Sequence, residues 1–242
     1  MGVTLKPQNR YKPMYLTLDI GNTRMKFAYF YANGRVLESG VSESIPDPSG
    51  CEALAVASVR SEKLDMSLVQ CAVLEVNSHC KFDFNIRYQT PETLGADRLA
   101  AVAGARFLFP AQDFLVVDAG TCLKFELLEG GNYLGGSIAP GLQMRYKALQ
   151  AFTGRLPLVE NRPARESVGN STETAILAGV QYGFVAEVAG RIADFQKKNQ
   201  HLSIILTGGD AAFLAEHIKT RIFVEPLLLH YGLYHTLRLN GY

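Results

Sequence analysis

Two short stretches carry the residue types of phosphate chemistry. "DIGNTRMK", Asp19 to Lys26, and "DAGT", Asp118 to Thr121, each put a carboxylate, a glycine and a threonine within a few positions. Glycine lets backbone amides approach phosphate oxygens closely, and successive amides with a threonine hydroxyl donate to them. The carboxylates suit the cations that such a ligand brings. Magnesium takes few protein carboxylates and fills its other positions with water and phosphate oxygens, so Asp19 beside Gly21, Asn22 and Thr23 is chemically apt. Lys26 adds a point charge. Taken singly, each Asp-x-Gly is also an ordinary turn. Neither GxxxxGK[ST] nor GxGxxG occurs, which argues against P-loop and Rossmann nucleotide sites.

The elements around these stretches repeat. "LTLDIGNTRMKFAYFYANGRVLESG" from Leu16 lies on "LVVDAGTCLKFELLEGGNYLGGS" from Leu115, and one gap beside Asn22 brings "MKF" onto "LKF". Each copy reads as a β-run ending in Asp-x-Gly, a tight turn, a second β-run, a turn rich in Gly and Asn, and a third short strand. Repetition in register favours two Asp-Gly turns that grip one phosphate chain across a pseudo-twofold cleft. A further strand-like run, "SIILTGGD", leads into "DAAFLAEHIK" with Asp210 placed as N-cap. The clearest helix begins near Thr172, where Ile176, Val180, Phe184, Val188, Ile192 and Phe195 recur every three or four residues as a core stripe. "PETLGADRLAAVAGARFLF" predicts a helix entering at Gly95 and Ala96, with Leu99, Val102, Ala103 and Phe107 inward, and "LLLHYGLYHTLRL" predicts a last one. The fold class is α/β: two similar lobes with mixed β-sheets flanked by helices and a cleft between them. The expected division is an N-terminal arm over 1–13, a first lobe over 14–113 and a second over 114–242.

Composition narrows the function classes. The chain of 242 residues is 48% hydrophobic, enough for a large core, and its net charge of +1 gives no general attraction to nucleic acid or to an anionic membrane. No apolar run approaches the length of a membrane helix, and no signal peptide is legible at the N-terminus, so a cytoplasmic address is expected. Cys51, Cys71, Cys80 and Cys122 form no CxxC pair and read as reduced, mostly buried thiols. The five histidines show no metal-ligand spacing.

The duplicated Asp-Gly hairpins and the later "TGG" resemble the superfamily of actin, sugar kinases and Hsp70 ATPases, which implies lobes of ribonuclease H-like plan. "DIGNTRMKF", "YQTPETLGADRLAAVAGA", "VVDAGTCLKF", "LGGSIAPGLQM" and "STETAILAG" resemble, in order and spacing, the type III pantothenate kinases. That resemblance implies a homodimeric, ATP-dependent kinase acting on pantothenate to give 4′-phosphopantothenate, the first step toward coenzyme A. It implies ATP and magnesium contacts along Asp19, Ile20, Gly21, Asn22, Thr23, Arg24, Met25 and Lys26, with Asp19 the magnesium ligand, and a phosphate contact at Thr121. It makes Asp118 a ligand for an activating monovalent cation, potassium or ammonium. Gly95, Ala96, Asp97 and Arg98 match the substrate site, Asp97 as proton acceptor and Arg98 as substrate contact, joined by Tyr88, Thr172 and the glycine-rich "GGSIAPG". The residues keep plainer readings beside these: Asp97 as an acid in a first helical turn, Arg98 on a solvated face, Tyr88 as packing and Thr172 as a helix N-cap. Where relatives carry small or hydroxyl residues after "DAGT", this chain has Cys122, Leu123 and Lys124. Two other functions fit the same residues: a non-catalytic nucleotide-binding regulator, and a kinase for another small hydroxy acid.

Overall fold

The computed structural model describes residues 15–60, 65–67 and 69–242; the arm expected over 1–13 lies outside them. In chain order the strands and helices are β1 (Tyr15–Ile20), β2 (Met25–Phe30), β3 (Val36–Ser42), β4 (Ala53–Ser58), β5 (Ala72–Glu75), β6 (Asn85–Ile86) and α1 (Ala96–Leu108). Then follow β7 (Phe114–Ala119), β8 (Cys122–Glu129), β9 (Asn132–Pro140), α2 (Leu142–Ala151), α3 (Thr172–Lys198), β10 (Ser203–Thr207), α4 (Ala211–His217), β11 (Phe223–Val224) and α5 (Leu228–Leu239). The chain divides into two compact units. One holds the described residues up to Asp83 with Thr90–Phe107 and Leu229–Tyr242; the other holds Phe84–Gln89 and Leu108–Leu228.

Each unit contains one mixed sheet, and the two sheets share a plan. The first runs β3-β2-β1-β4-β5; the second runs β9-β8-β7-β10-β11, with β6 added beside β9. In both, an antiparallel meander is continued by parallel strands: β4 pairs with β1, and β10 with β7. Central strands β1 ("YLTLDI") and β7 ("FLVVDA") are buried along their whole length. This is the burial expected where neighbours flank a strand on both edges and its two faces are covered. The repeat legible in the sequence is therefore a repeat of topology.

Glycines with positive φ make the second turns, Gly34 in one unit and Gly130 with Gly131 in the other, a conformation only glycine adopts without strain. Strands β4 and β5 and helix α2 carried no clear signal. The β4 segment "ALAVAS" is a run of small apolar residues without alternation, because nearly all of it is buried, and α2 buries only Leu142 and Tyr146.

Helix α1 is buried from Arg98 to Ala105 on every side, which its alanines permit. Phe107 is only half-buried and lies over Tyr231 of α5, 6.1 Å between ring centres. The α1–α5 contact depends on Gly232: a Cβ there would stand 1.8 Å from the Ala100 carbonyl oxygen and 2.7 Å from the Gly104 nitrogen. Helix α3 sends Ile176, Val180, Phe184, Val188 and Ile192 into the core of the second unit, with Phe195 packed at its margin. That stripe is used up inside its own unit and supplies no face for a partner. The cysteines are free, but all four are half-buried rather than sequestered as expected.

A histidine lies in the core of the first unit. His230 of α5, 2% exposed, has Nδ1 2.8 Å from the Thr17 hydroxyl of β1. That hydroxyl donates to the Ala28 carbonyl, so it accepts from the ring. Burial first, and then the charge of Lys26, push the His230 pKa down to about 3.

Two stability measurements test this packing. Gly232→Ala should cost about 1–3 kcal/mol or more of unfolding free energy in urea titration. The His230 ring stays neutral in the folded state while the unfolded ring takes up a proton below pH about 6.5. Stability should accordingly fall as pH drops from about 6.5 towards 3, by up to about 1.4 kcal/mol per pH unit from this group. His230→Gln, which keeps a donor and loses the titration, should show a flatter profile than the parent over that window.

Candidate active site

In the first unit β1 delivers Asp19 one position before its end, directly opposite Lys26 of β2. The hairpin is closed by the Gly21 amide donating to the Arg24 carbonyl at 3.1 Å. The Lys26 ammonium is 4.0 Å from Asp19 Oδ2, and its side chain is largely exposed, whereas that of Asp19 is nearly buried. Asn22, Thr23 and Arg24 are exposed on the turn. Ile20 and Met25 send their side chains into the core, so only their backbone is available to a ligand. Arg60, which sequence reading missed, donates from Nε to the Gly21 carbonyl at 3.0 Å and braces the turn from the segment after β4. No local motif announces it, because the contact spans 39 residues.

The start of α1 lies in the same unit. Asp97 Oδ1 accepts from the Arg98 amide at 2.9 Å. The carboxylate folds back over Gly95, where a Cβ would stand 2.6 Å from it. Glycine is what lets Asp97 occupy that place. Arg98 is 6% exposed, not on a solvated face as its type suggests; a guanidinium is rarely buried without partners.

In the second unit the first hairpin repeats the arrangement with different energetics. Asp118 of β7 stands opposite Lys124 of β8, and the ammonium lies 2.7 Å from Asp118 Oδ2, with side chains only 13% and 10% exposed. Asp118 Oδ1 lies against the β10–α4 loop: a Cβ on Gly208 would be 2.7 Å from it, and one on Gly120 3.5 Å. Gly208 has φ of +93°. Thr121 is exposed. Gly141 brings the α2 start against this turn, its amide donating to the Thr121 carbonyl at 3.2 Å. Most of "GGSIAPG" is strand β9 rather than a loop, and Gly136 is required there because a Cβ would meet the Phe125 carbonyl oxygen at 1.6 Å. Asp210 occupies the N-cap position of α4 but makes no side-chain cap; burial raises its pKa.

Tyr88, also in this unit, lies parallel to Tyr133 with ring centres 6.5 Å apart and packs on Gly135. Thr172 is exposed at the first position of α3, and the cap is Ser171, in a reciprocal box with Thr174. Among the described residues no group of three or more His, Cys, Asp or Glu side chains could hold a metal, so a divalent ion would need oxygens from its ligand. A cavity of about 870 Å³ lined by Asp47, Gly50, Cys51, Asp65 and Cys71 includes none of the residues above.

The fold is that of the actin-like ATPases and sugar kinases. It resembles a Campylobacter jejuni protein described as a Baf family transcriptional activator, with a TM-score of 0.63 at 22% identity over 93% of this chain and 98% of that one. It also resembles a Streptomyces griseus ROK family glucokinase in complex with glucose and AMPPNP, with a TM-score of 0.50 at 12% identity over 94% and 99%. Sequence is more specific. The family model for type III pantothenate kinase matches residues 44–194. The type III pantothenate kinase of Flavobacterium johnsoniae is 40% identical over 89% of this chain and 94% of its own length, and that of Bacteroides fragilis (strain ATCC 25285) 39% identical over 94% and 99%. The chain belongs to the type III pantothenate kinase family.

Gly141→Ala tests the second hairpin. Its Cβ would stand 2.3 Å from the Gly120 carbonyl oxygen and 2.4 Å from that of Thr121, backbone atoms that cannot turn aside. We expect magnesium–ATP affinity by calorimetry to fall about tenfold, equivalent to about 1.4 kcal/mol.

Proposed function

We propose that the protein transfers the γ-phosphoryl group of ATP to the primary hydroxyl of pantothenate, giving 4′-phosphopantothenate and ADP, as the first step toward coenzyme A. The observation that carries this reading is the near full-length match to type III pantothenate kinases at about 40% identity.

The chemistry asks for an aligned hydroxyl, a proton acceptor and positive charge around the phosphates. Asp97 is assigned the proton. Its Oδ1 accepts from the Arg98 amide, and a carboxylate placed in this way is the group that would take the proton of a substrate hydroxyl. Arg98, and Tyr88 with Thr172, are assigned to the substrate, whose carboxylate suits a guanidinium. The Gly21–Arg24 turn, Lys26 and Thr121 are assigned to the phosphates. Asp19 is assigned to the magnesium ion that accompanies ATP: one hard carboxylate suits an ion whose other positions are filled by water and phosphate oxygens, and magnesium there would neutralise charge on the transferring group.

The potassium or ammonium ion expected at Asp118 fits the donor set poorly. Lys124 already lies on that carboxylate, and two unit charges ~4 Å apart repel by about 4 kcal/mol at an effective dielectric constant of about 20. A homodimer belongs to the same proposal, supported by apolar side chains exposed on the second unit: Leu134 and Ile138 of β9, Met144 of α2 and Tyr182 of α3. Light scattering on the purified protein tests it. No helix among the described residues is long and apolar enough to cross a membrane, and the free cysteines suit the cytoplasmic address we assign.

The test is ADP release from purified protein with magnesium–ATP, with and without pantothenate. Asp97→Asn keeps the oxygen that accepts from Arg98, so its unfolding midpoint should match the parent. Its kcat should fall by a factor of about 10² to 10⁴, the usual contribution of a general base. Parental kcat in this variant would remove Asp97 from the mechanism, and absence of pantothenate-dependent turnover in the parent would remove the substrate.

A further inference from the structure

The second hairpin carries a built-in ion that the kinase reading does not use. We propose that the Lys124 ammonium takes the place of a monovalent cation at Asp118, so that this enzyme turns over without potassium or ammonium. The inference rests on the kinase reading for its activity arm.

Four observations carry it. The contact is close and dry: Nζ lies 2.7 Å from Oδ2, with both side chains nearly buried. It is held by register, because Asp118 and Lys124 are direct partners in the β7–β8 ladder and stand on the same face of the sheet. The other carboxylate oxygen is walled by backbone, with Gly208 and Gly120 close enough that a Cβ on either would lie within 3.5 Å of Oδ1. The first unit supplies an internal comparison: Lys26 has the same cross-strand relation to Asp19, yet stays 4.0 Å away with a side chain 46% exposed. A lysine in this register is therefore free to extend towards water, and the one in the second hairpin instead lies on its carboxylate.

The chemistry of the exchange is simple. A primary ammonium carries one positive charge, is close in size to potassium, and is an alkylated form of the ammonium ion itself. Tethered on β8, it neutralises Asp118 without a binding equilibrium. A second cation on the same carboxylate would meet its repulsion in a place with little water to screen it. The position of Lys124, three residues after Thr121, also puts fixed positive charge on the strand that leaves the phosphate-binding turn. Lys124 is thus a positioning residue acting through Asp118.

The experiment compares the parent with Lys124→Ala and Lys124→Met, the second retaining much of the apolar stem. Pantothenate-dependent ADP release is followed with magnesium–ATP in tetramethylammonium buffer, then with potassium or ammonium chloride added at constant ionic strength. The parent should change less than about twofold. Lys124→Ala should lose about tenfold or more in tetramethylammonium, equivalent to about 1.4 kcal/mol in the barrier, and recover most of it with potassium or ammonium, a rescue that a merely structural lysine would not give. A second readout needs no turnover: the thermal midpoint of the parent should be the same in potassium and tetramethylammonium, while that of Lys124→Ala should rise in potassium. Activation of the parent about tenfold by potassium, or a potassium-dependent rise in its midpoint, would overturn the proposal. So would variants of either kind that are neither impaired nor rescued. If no condition gives pantothenate-dependent turnover, the kinase reading fails, and the midpoints still decide whether Lys124 replaces the ion. If Lys124→Ala does not fold, Lys124→Met and the response of the parent carry the test.

Discussion

The register of one antiparallel hairpin, used twice, underlies the placement of chemistry in this molecule. In β1–β2 and in β7–β8 the inner strand carries an aspartate one position before its end, and a lysine near the start of the partner strand stands directly across from it. Side chains alternate between the faces of a strand, so a slip of one residue would send both carboxylates to the opposite face. Full burial of the two central strands prevents the slip. Leu16, Leu18 and Ile20 must stay in one core and Leu115, Val117 and Ala119 in the other, and the polar residues follow from that choice.

Identical registers have produced different electrostatics. A loose pair such as Asp19 with Lys26, 4.0 Å apart and with the ammonium largely exposed, gains little, since water screens the ammonium and the long side chain would lose freedom by closing in. A nearly dry pair such as Asp118 with Lys124 carries a desolvation cost that only close geometry offsets, and its 2.7 Å contact meets that requirement. The first hairpin leaves its lysine largely in water, and the second holds its lysine against the carboxylate.

The residues at the start of α1 depend on a second device, the packing of small residues around that helix. Alanines and Gly104 allow this helix to be buried on every side, and Gly232 lets α5 approach its backbone. A helix held so tightly fixes what stands at its first turn. Asp97 lies folded over Gly95, and Arg98 is buried beside it. A side chain is placed as precisely as the element that bears it is rigid.

Much of this was legible in the chain alone, and the boundary of what was not has a physical cause. The repeat, both Asp-Gly hairpins and helices α1, α3 and α5 could be read because their signals are local: alternation, the three-to-four spacing, and glycine at turns. The residue types of phosphate chemistry from Asp19 to Lys26 could be read for the same reason, whereas Gly95 to Arg98 were singled out through resemblance to a family. Strand β4 was not legible, because a strand buried on both faces loses alternation, and its alanines resemble those of a helix. The cap of α3 was read one residue late, since Ser171 and Thr172 are both competent caps and only the bond to the Thr174 amide chooses between them. Sequence by itself determined which residues lie on each hairpin and that the hairpin occurs twice. Tertiary structure decided that Arg98 is buried, that Arg60 braces the first turn, and that Lys124 rests on Asp118 while Lys26 reaches toward water. Those outcomes depend on which backbone covers which side chain, and local spacing carries no record of it.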